Sequence, residues 1–377
     1  MRSVVLLIII LLSISACAQA QDLADSVRTL NAAQNRMAVG KEKAKDQVAA
    51  QFETIEALIP TLEPEAWTQS RNIRAAIIYL LGGGAPENLR EIHDAGFIVG
   101  DEALLLEAAL LNAEGDERAA EKIATFDPQQ YPPLLGGHLA LVQGGMLVGQ
   151  DNAHAIAKLD LARLLMPTSL VEEAALRREI RALDLQNQRE KIIALASIYA
   201  ARYRASPYAR HLVDDLRTLL RRPEIEDDPT FASKLEPVLD MAPASERLDI
   251  YLSSFRAALA RGRLEEARQR LIKAIPVAQS VEARERLRAY QELIAGLDAP
   301  NGPKRDSIGA APSTALTPED RQIIELVNAV LNRLATSPTE ARGSEQRSLP
   351  DDETELVAKA RVRLEHVDIL LNGKRRK

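Results

Sequence analysis

Between residues 43 and 297 the apolar positions recur every three to four residues, and Ala, Leu, Glu and Arg supply much of the sequence. That spacing lays an apolar stripe along a helix, and these are good helix formers. No run alternates apolar with polar positions while being rich in β-branched side chains, so no sheet is expected. Proline and glycine cut the pattern into short helices: Pro60, the triplet Gly82, Gly83 and Gly84, then Gly100, Gly115, Pro128, Gly149, Pro167, Pro207, Pro223, Pro243 and Gly262. Pro lacks the N–H donor and Gly accepts the left-handed cap, so each marks a helix end or start. One helix, 102–113, is apolar nearly all round, from Ala103, Leu104 and Leu105 to Leu110, Leu111 and Ala113, and belongs in the interior.

Three segments share a finer pattern. Leu111 and Gly115 precede Ala119; Met146 and Gly149 precede Ala155 and Leu159; Phe255 and Gly262 precede Ala267 and Leu271. Each reads as helix, tight glycine turn, helix, with small Ala residues letting the second helix approach the first. Gly115 and Gly149 lie 34 positions apart, the period of tetratricopeptide repeats, although the full consensus is absent. The fold expected is all-α: an irregular tetratricopeptide-like helical-hairpin solenoid with tethered C-terminal helices. Antiparallel hairpins without a superhelix are the plainer alternative.

The two ends read differently. Arg2 is followed by nine consecutive aliphatic residues at 4–12 and then by small residues. This is the layout of a secretory signal peptide, placed at 1–20, and it falls well short of the roughly 20 apolar residues a membrane-spanning helix needs. Ala18, Gln19 and Ala20 fit a cleavage site before Gln21. Ile14, Ser15, Ala16 and Cys17 also resemble a lipobox, in which Cys17 carries a lipid. The location expected is periplasmic, either free or tethered through Cys17. Cys17 is the only cysteine. Removed or acylated, it leaves the body without a thiol, which excludes disulfides, Cys-ligated zinc and a Cys nucleophile. Residues 21–42 lack strong apolar periodicity and read as a loose segment before the helical-repeat domain at 43–297. Beyond it come a polar linker at 298–318, an amphipathic helix at 319–335, a second linker at 336–351, and a C-terminal helix with a basic tail at 352–377. An amphipathic helix without sequence neighbours must dock on the solenoid, its twin or a partner.

Of the 377 residues, 48 are Lys or Arg and 54 Asp or Glu, a net charge of −6, and aromatics make up 3%. That balance argues against a nucleic-acid binder, which needs cations for phosphates and aromatic platforms for bases. Catalytic and metal motifs are missing. No HExxH, P-loop, GxSxG or SxxK occurs. His138 and His154 are placed to face each other across the Gly149 turn, as a structural pair without a third ligand. Glu172–Glu173 and Asp227–Asp228 read as helix-start charge favoured by the helix dipole. No enzyme activity, cofactor, metal or small-molecule substrate is therefore expected. One region stands out: Arg177, Arg178, Arg181, Arg202 and Arg210 crowd among Tyr199, Tyr203 and Tyr208. Arg and Tyr are favoured at interfaces, so Arg177, Arg178, Arg181, Tyr203 and Tyr208 form the candidate protein interface, with a solvated helix face as the alternative.

The stretch 159–180, LDLARLLMPTSLVEEAALRREI, and 203–216, YRASPYARHLVDDL, resemble the MotC family, periplasmic motility proteins of α-proteobacteria. The resemblance covers mainly residues 100–220. It implies a secreted binding protein associated with the flagellar stator, whose partner is the periplasmic portion of the MotB-type subunit. It implies membrane contact only through that partner or a lipid anchor, and it brings no catalytic residues. The runner-up is a tetratricopeptide-like lipoprotein acting in envelope assembly.

Overall fold

The computed structural model describes residues 22–183, 188–220, 229–298 and 316–336. The leader expected at 1–20 with Cys17, nearly all of the linkers expected at 298–318 and 336–351, and the helix with basic tail expected at 352–377 lie outside them. Among the described residues there is no strand. The chain is an all-α helical solenoid.

Four apolar cores follow one another along it. The first gathers α1 (Leu23–Ala38), α2 (Ala44–Leu58), α3 (Ser70–Leu81), α4 (Glu87–Asp94), α5 (Asp101–Glu114), α6 (Ala119–Ala124) and α7 (Pro133–Leu147). A smaller core joins α7 to α8 (Asn152–Leu165) and α9 (Leu170–Ala182). The third runs from α9 through α10 (Arg189–Arg202), α11 (Ala209–Leu220), α12 (Pro229–Lys234) and α13 (Glu236–Leu239). The last holds α14 (Ala244–Ala260), α15 (Leu264–Ala274), α16 (Val281–Asp298) and α17 (Pro318–Thr336). The three glycine turns read from the sequence are present, at Gly115, Gly149 and Gly262, each with left-handed φ. The apolar helix is α5, and Leu105, Leu106, Ala109 and Leu110 are buried as its composition requires. Leu104, one turn from its start, is the exception and faces solvent.

In the segment expected to be loose, residues 22–42 are ordered into helix and turn. Asp22 caps α1, accepting from the Ala24 N–H at 3.1 Å. The helix buries Leu23, Val27, Leu30 and Met37, spaced four, three and seven apart, against α2, α3 and α9. The stripe was hidden because its remaining places hold Ala, Asn and Gln. Those amides are buried but bonded: Asn31 Nδ2 donates to the Val27 carbonyl at 3.1 Å and Gln34 Nε2 to the Gly82 carbonyl at 3.4 Å. A satisfied buried amide costs little, whereas an unpaired one would cost about 1–3 kcal/mol.

The helix expected at 319–335 is α17, and it is docked rather than merely tethered. Ile323, Ile324 and Val327 are buried against α14 and α16. The hub of the first half is α7, which touches α3, α6, α8 and α9. Its glycines permit this. A Cβ at 144 would come within 2.7 Å of Leu159 Cγ and 3.2 Å of the Ala155 carbonyl oxygen, and a Cβ at 136 would come closer still to the Pro128 carbonyl oxygen. Such separations have no room in a close-packed interior.

Candidate interaction site

Helix α9 carries the densest polar chemistry. Ser169 is its N-cap: the Ser169 Oγ accepts from the Glu172 N–H at 3.1 Å and donates to the Met166 carbonyl at 2.6 Å. Glu172 reaches back and accepts from the Thr168 N–H at 2.6 Å, a capping box displaced by one residue. So the reading of Glu172 and Glu173 as helix-start charge holds only in part. Both side chains are buried, as is Glu179 two turns on.

Each carboxylate has its own set of donors. Glu172 accepts from the Tyr203 hydroxyl at 2.6 Å and from Arg202 at 2.8 Å. Glu173 takes both arms of Arg177, at 2.9 and 3.0 Å, together with the Tyr199 hydroxyl and the Ser206 hydroxyl at 3.2 Å. Glu179 meets Arg163 at 2.9 Å and Lys191 at 2.7 Å. Burial pushes the Tyr199 and Tyr203 hydroxyls far above their ordinary range, and the adjoining carboxylates push further, so both tyrosines stay donors. Burial also raises Glu179, against the pull of Lys191 and Arg163. The network ties α8, α9 and α10 to the turn at 203–206. It is the internal clasp of the fold: Glu172 and Glu173 are hydrogen-bonded by this chain's own donors, and Glu179 takes a hydrogen bond from Arg163 on one oxygen and an ion pair with Lys191 on the other.

That geometry corrects the sequence-derived interface. Tyr203 has 0% exposure and cannot touch a partner. Arg177 is held by Glu173, with its guanidinium 5.3 Å from the centre of the Tyr208 ring. Tyr208 itself is partly buried against the first core. Arg178 runs along α7 and donates to the Leu141 carbonyl at 3.2 Å; burial lowers its pKa. Of the five, only Arg181 faces solvent, with 54% of its side chain exposed, and it pairs with Asp215 at 2.8 Å. Arg and Tyr were read as interface types, but the same bidentate and hydroxyl chemistry suits a buried clasp.

The expected His pair does not form. His138 is buried and its Nε2 lies 3.1 Å from Asn31 Oδ1 on α1, while His154 is exposed beside Asp151. The Asn31 amide nitrogen is committed to Val27, so its oxygen faces the ring and His138 Nε2 is the donor. Burial drives the His138 pKa down to about 4. Among the described residues no group of three or more His, Asp or Glu is placed to hold a metal ion, and no helix is long and apolar enough to cross a membrane.

The sequence reading missed the exposed apolar side chains. Phe97 (43%), Val99 (80%) and Leu104 (60%) stand out at the α4–α5 corner. Ile272, Ile275 and Val281 flank the α15–α16 turn, and Leu326 and Val330 lie on the outer face of α17. The signal was present in Gly96–Phe97–Ile98–Val99–Gly100, an apolar run bracketed by glycines.

Comparison with known proteins assigns a family. The profile of the family described as Chemotaxis protein MotC matches residues 1–375. A Chemotaxis protein MotC from Rhizobium meliloti (strain 1021) is 25% identical over 316 residues, covering 83% of this chain and 72% of the relative. No solved structure matches. The likeness therefore extends well beyond the middle third in which the sequence motifs stand out, and the chain belongs to the MotC family of chemotaxis and motility proteins.

Proposed function

We propose that this protein is a non-enzymatic periplasmic scaffold or chaperone of the flagellar motor. In this reading it binds the periplasmic part of a MotB-type stator subunit and is needed for motility. The observation that carries the reading is the family match over residues 1–375. Two features support it. A helical solenoid offers long, stiff surfaces for another polypeptide. The buried carboxylates Glu172 and Glu173 of α9 are occupied by structural donors. The route to the periplasm is the leader at 1–20, and the protein meets the inner membrane through its partner or through a lipid on Cys17.

A deletion strain tests the reading. Swimming should stop while filaments still assemble, and the purified protein should bind the purified periplasmic part of the stator subunit. Normal swimming together with no binding would refute it. The second reading, an envelope-assembly lipoprotein, rests on the sequence Ile14–Ser15–Ala16–Cys17. Mass spectrometry of the mature N-terminus separates a chain beginning at Gln21 from one beginning at acylated Cys17.

A further inference from the structure

We infer that the α4–α5 corner is a docking site for an extended partner segment carrying apolar side chains flanked by Lys or Arg. This deepens the proposed function by naming the surface and the chemistry of the segment it would hold.

The corner is built to present apolar groups. Ile98 is buried in the first core, while its neighbours Phe97 and Val99 point outward. Exposed and buried positions thus alternate over these three residues. Gly96 and Gly100 close the two ends with φ of 76° and 75°, and a Cβ at either would meet nothing within 4 Å. These glycines are there for backbone shape, not for want of space. Leu104 adds a third exposed apolar group one turn into α5, where its N–H bonds to the Gly100 carbonyl at 3.3 Å.

Two further features describe the occupant. Among the described residues none exchanges a hydrogen bond with the peptide groups of Phe97, Ile98 or Val99. A backbone with unpaired peptide groups between outward apolar side chains can receive a partner segment through main-chain hydrogen bonds, with side chains setting the choice. The charge is one-sided. From 87 to 107 the chain carries six carboxylates, Glu87, Glu91, Asp94, Asp101, Glu102 and Glu107, against one arginine, Arg90. Arg90 is consumed by Glu107 at 2.5 Å and Glu114 at 2.7 Å, and Glu102 by Arg74 at 2.8 Å. Glu91, Asp94 and Asp101 stay exposed beside the apolar residues. An acidic rim around an apolar centre selects a basic, apolar segment and repels an acidic one.

The test uses the full mature chain and, as probe, the purified periplasmic part of the MotB-type stator subunit. F97D/V99D should weaken binding at least tenfold with an unchanged thermal melt. E91K/D94K/D101K should weaken it at least tenfold at low salt, and the gap from wild type should narrow as salt rises. If the wild type binds and both variants bind equally well, the surface is wrong and the proposed function stands. If the wild type does not bind the probe, a photo-crosslinking residue at Val99 in growing cells decides. One adduct, lost in the E91K/D94K/D101K background and mapped to an apolar segment flanked by Lys or Arg, keeps the surface and removes the stator subunit as its partner. No adduct, or one mapped to an acidic segment, overturns the inference.

Discussion

The starts of α9 and α17 use the same device in different settings. In both, a hydroxyl residue caps the helix and an acidic residue three places on turns back to the chain. Ser169 with Glu172 does so at α9; Thr317 with Asp320 does so at α17, where the Thr317 N–H donates to Asp320 at 3.0 Å. In both, the carboxylate is buried and accepts from a tyrosine hydroxyl and from arginine. Asp320 takes Tyr290 at 2.5 Å, Arg256 at 2.6 Å and Arg286 at 2.7 Å. The difference is what the cap fastens. Around α9 three carboxylates lock successive helices in the middle of the solenoid. At α17 one carboxylate holds a helix reached after a stretch of polar sequence. A capping motif is a local signal, and only the donors brought from other helices turn it into a long-range clasp.

Removing a buried acceptor should therefore have the largest effect, with a different reach in each region. Glu173→Ala strands Arg177, Tyr199 and Ser206, and breaking a buried ion pair in this way costs about 3–5 kcal/mol. Asp320→Ala strands Arg256 and Tyr290 and leaves Arg286 with Asp249 alone, and should cost a similar amount, but within the last core. Hydrogen exchange is the measurement. Glu173→Ala should raise exchange across α8 to α11, and Asp320→Ala only across α14 to α17. Equal loss of protection everywhere in both variants would show that the regions unfold as one, and the comparison would fail.

Acid should separate the regions next. His138 is buried with its pKa lowered to about 4, against about 6.5 unfolded. The unfolded chain binds the proton first. Its contribution is thus complete above about pH 6.5 and is lost as the pH falls toward 4, a change of roughly 3 kcal/mol in the first core. Glu179 acts the other way, because burial raises its pKa and folding then favours the protonated form. For Asp320, burial acts to raise the pKa, but bonds from Arg286, Tyr290 and the Thr317 N–H outweigh it and hold the value below 3.8. Its contribution is present above the unfolded value and is lost only as the pH falls through the lower, folded one. Exchange followed from pH 7 to 4 should weaken α1, α3 and α7 before α14 to α17, and His138→Gln should flatten that dependence.

These elements also show what could be read in advance. The helix positions, the glycine turns and the buried face of α5 follow from periodicity and from Pro and Gly chemistry, both local. The residues of the expected interface were the right ones to single out, for the wrong reason. Arg177 and Tyr203 are distinctive because they satisfy buried carboxylates; the i,i+4 spacing of Arg177 and Glu173 is a local signal, but the burial of Glu173 and the Tyr203–Glu172 bond across 31 positions are invisible to local pattern. Helix α1 was missed because Asn31 and Gln34 interrupt its stripe, and their partners His138 and Gly82 lie far along the chain. Exposure at Phe97 and Val99 depends on Ile98 taking the inward place, which no residue count can assign.

The smallest effect concerns the caps themselves, and it separates local capping from the clasp. Replacing a Ser or Thr N-cap by Ala costs about 0.5–2 kcal/mol. Ser169 should lie at the upper end. It is buried, and its hydroxyl serves both the Glu172 N–H and the Met166 carbonyl, so Ala leaves two groups unpaired. Thr317 is partly exposed and its hydroxyl serves the Asp320 N–H at 3.2 Å, so Thr317→Ala should cost about 1 kcal/mol at most, within the same capping range. Urea denaturation of Ser169→Ala, Glu172→Gln and the double variant completes the argument as a cycle. Glu172 keeps Arg202 and Tyr203 when Ser169 is lost, so a purely local cap predicts a coupling below about 0.5 kcal/mol. A larger coupling would mean that the hydroxyl also sets the aim of the carboxylate, and that cap and clasp at α9 are one unit.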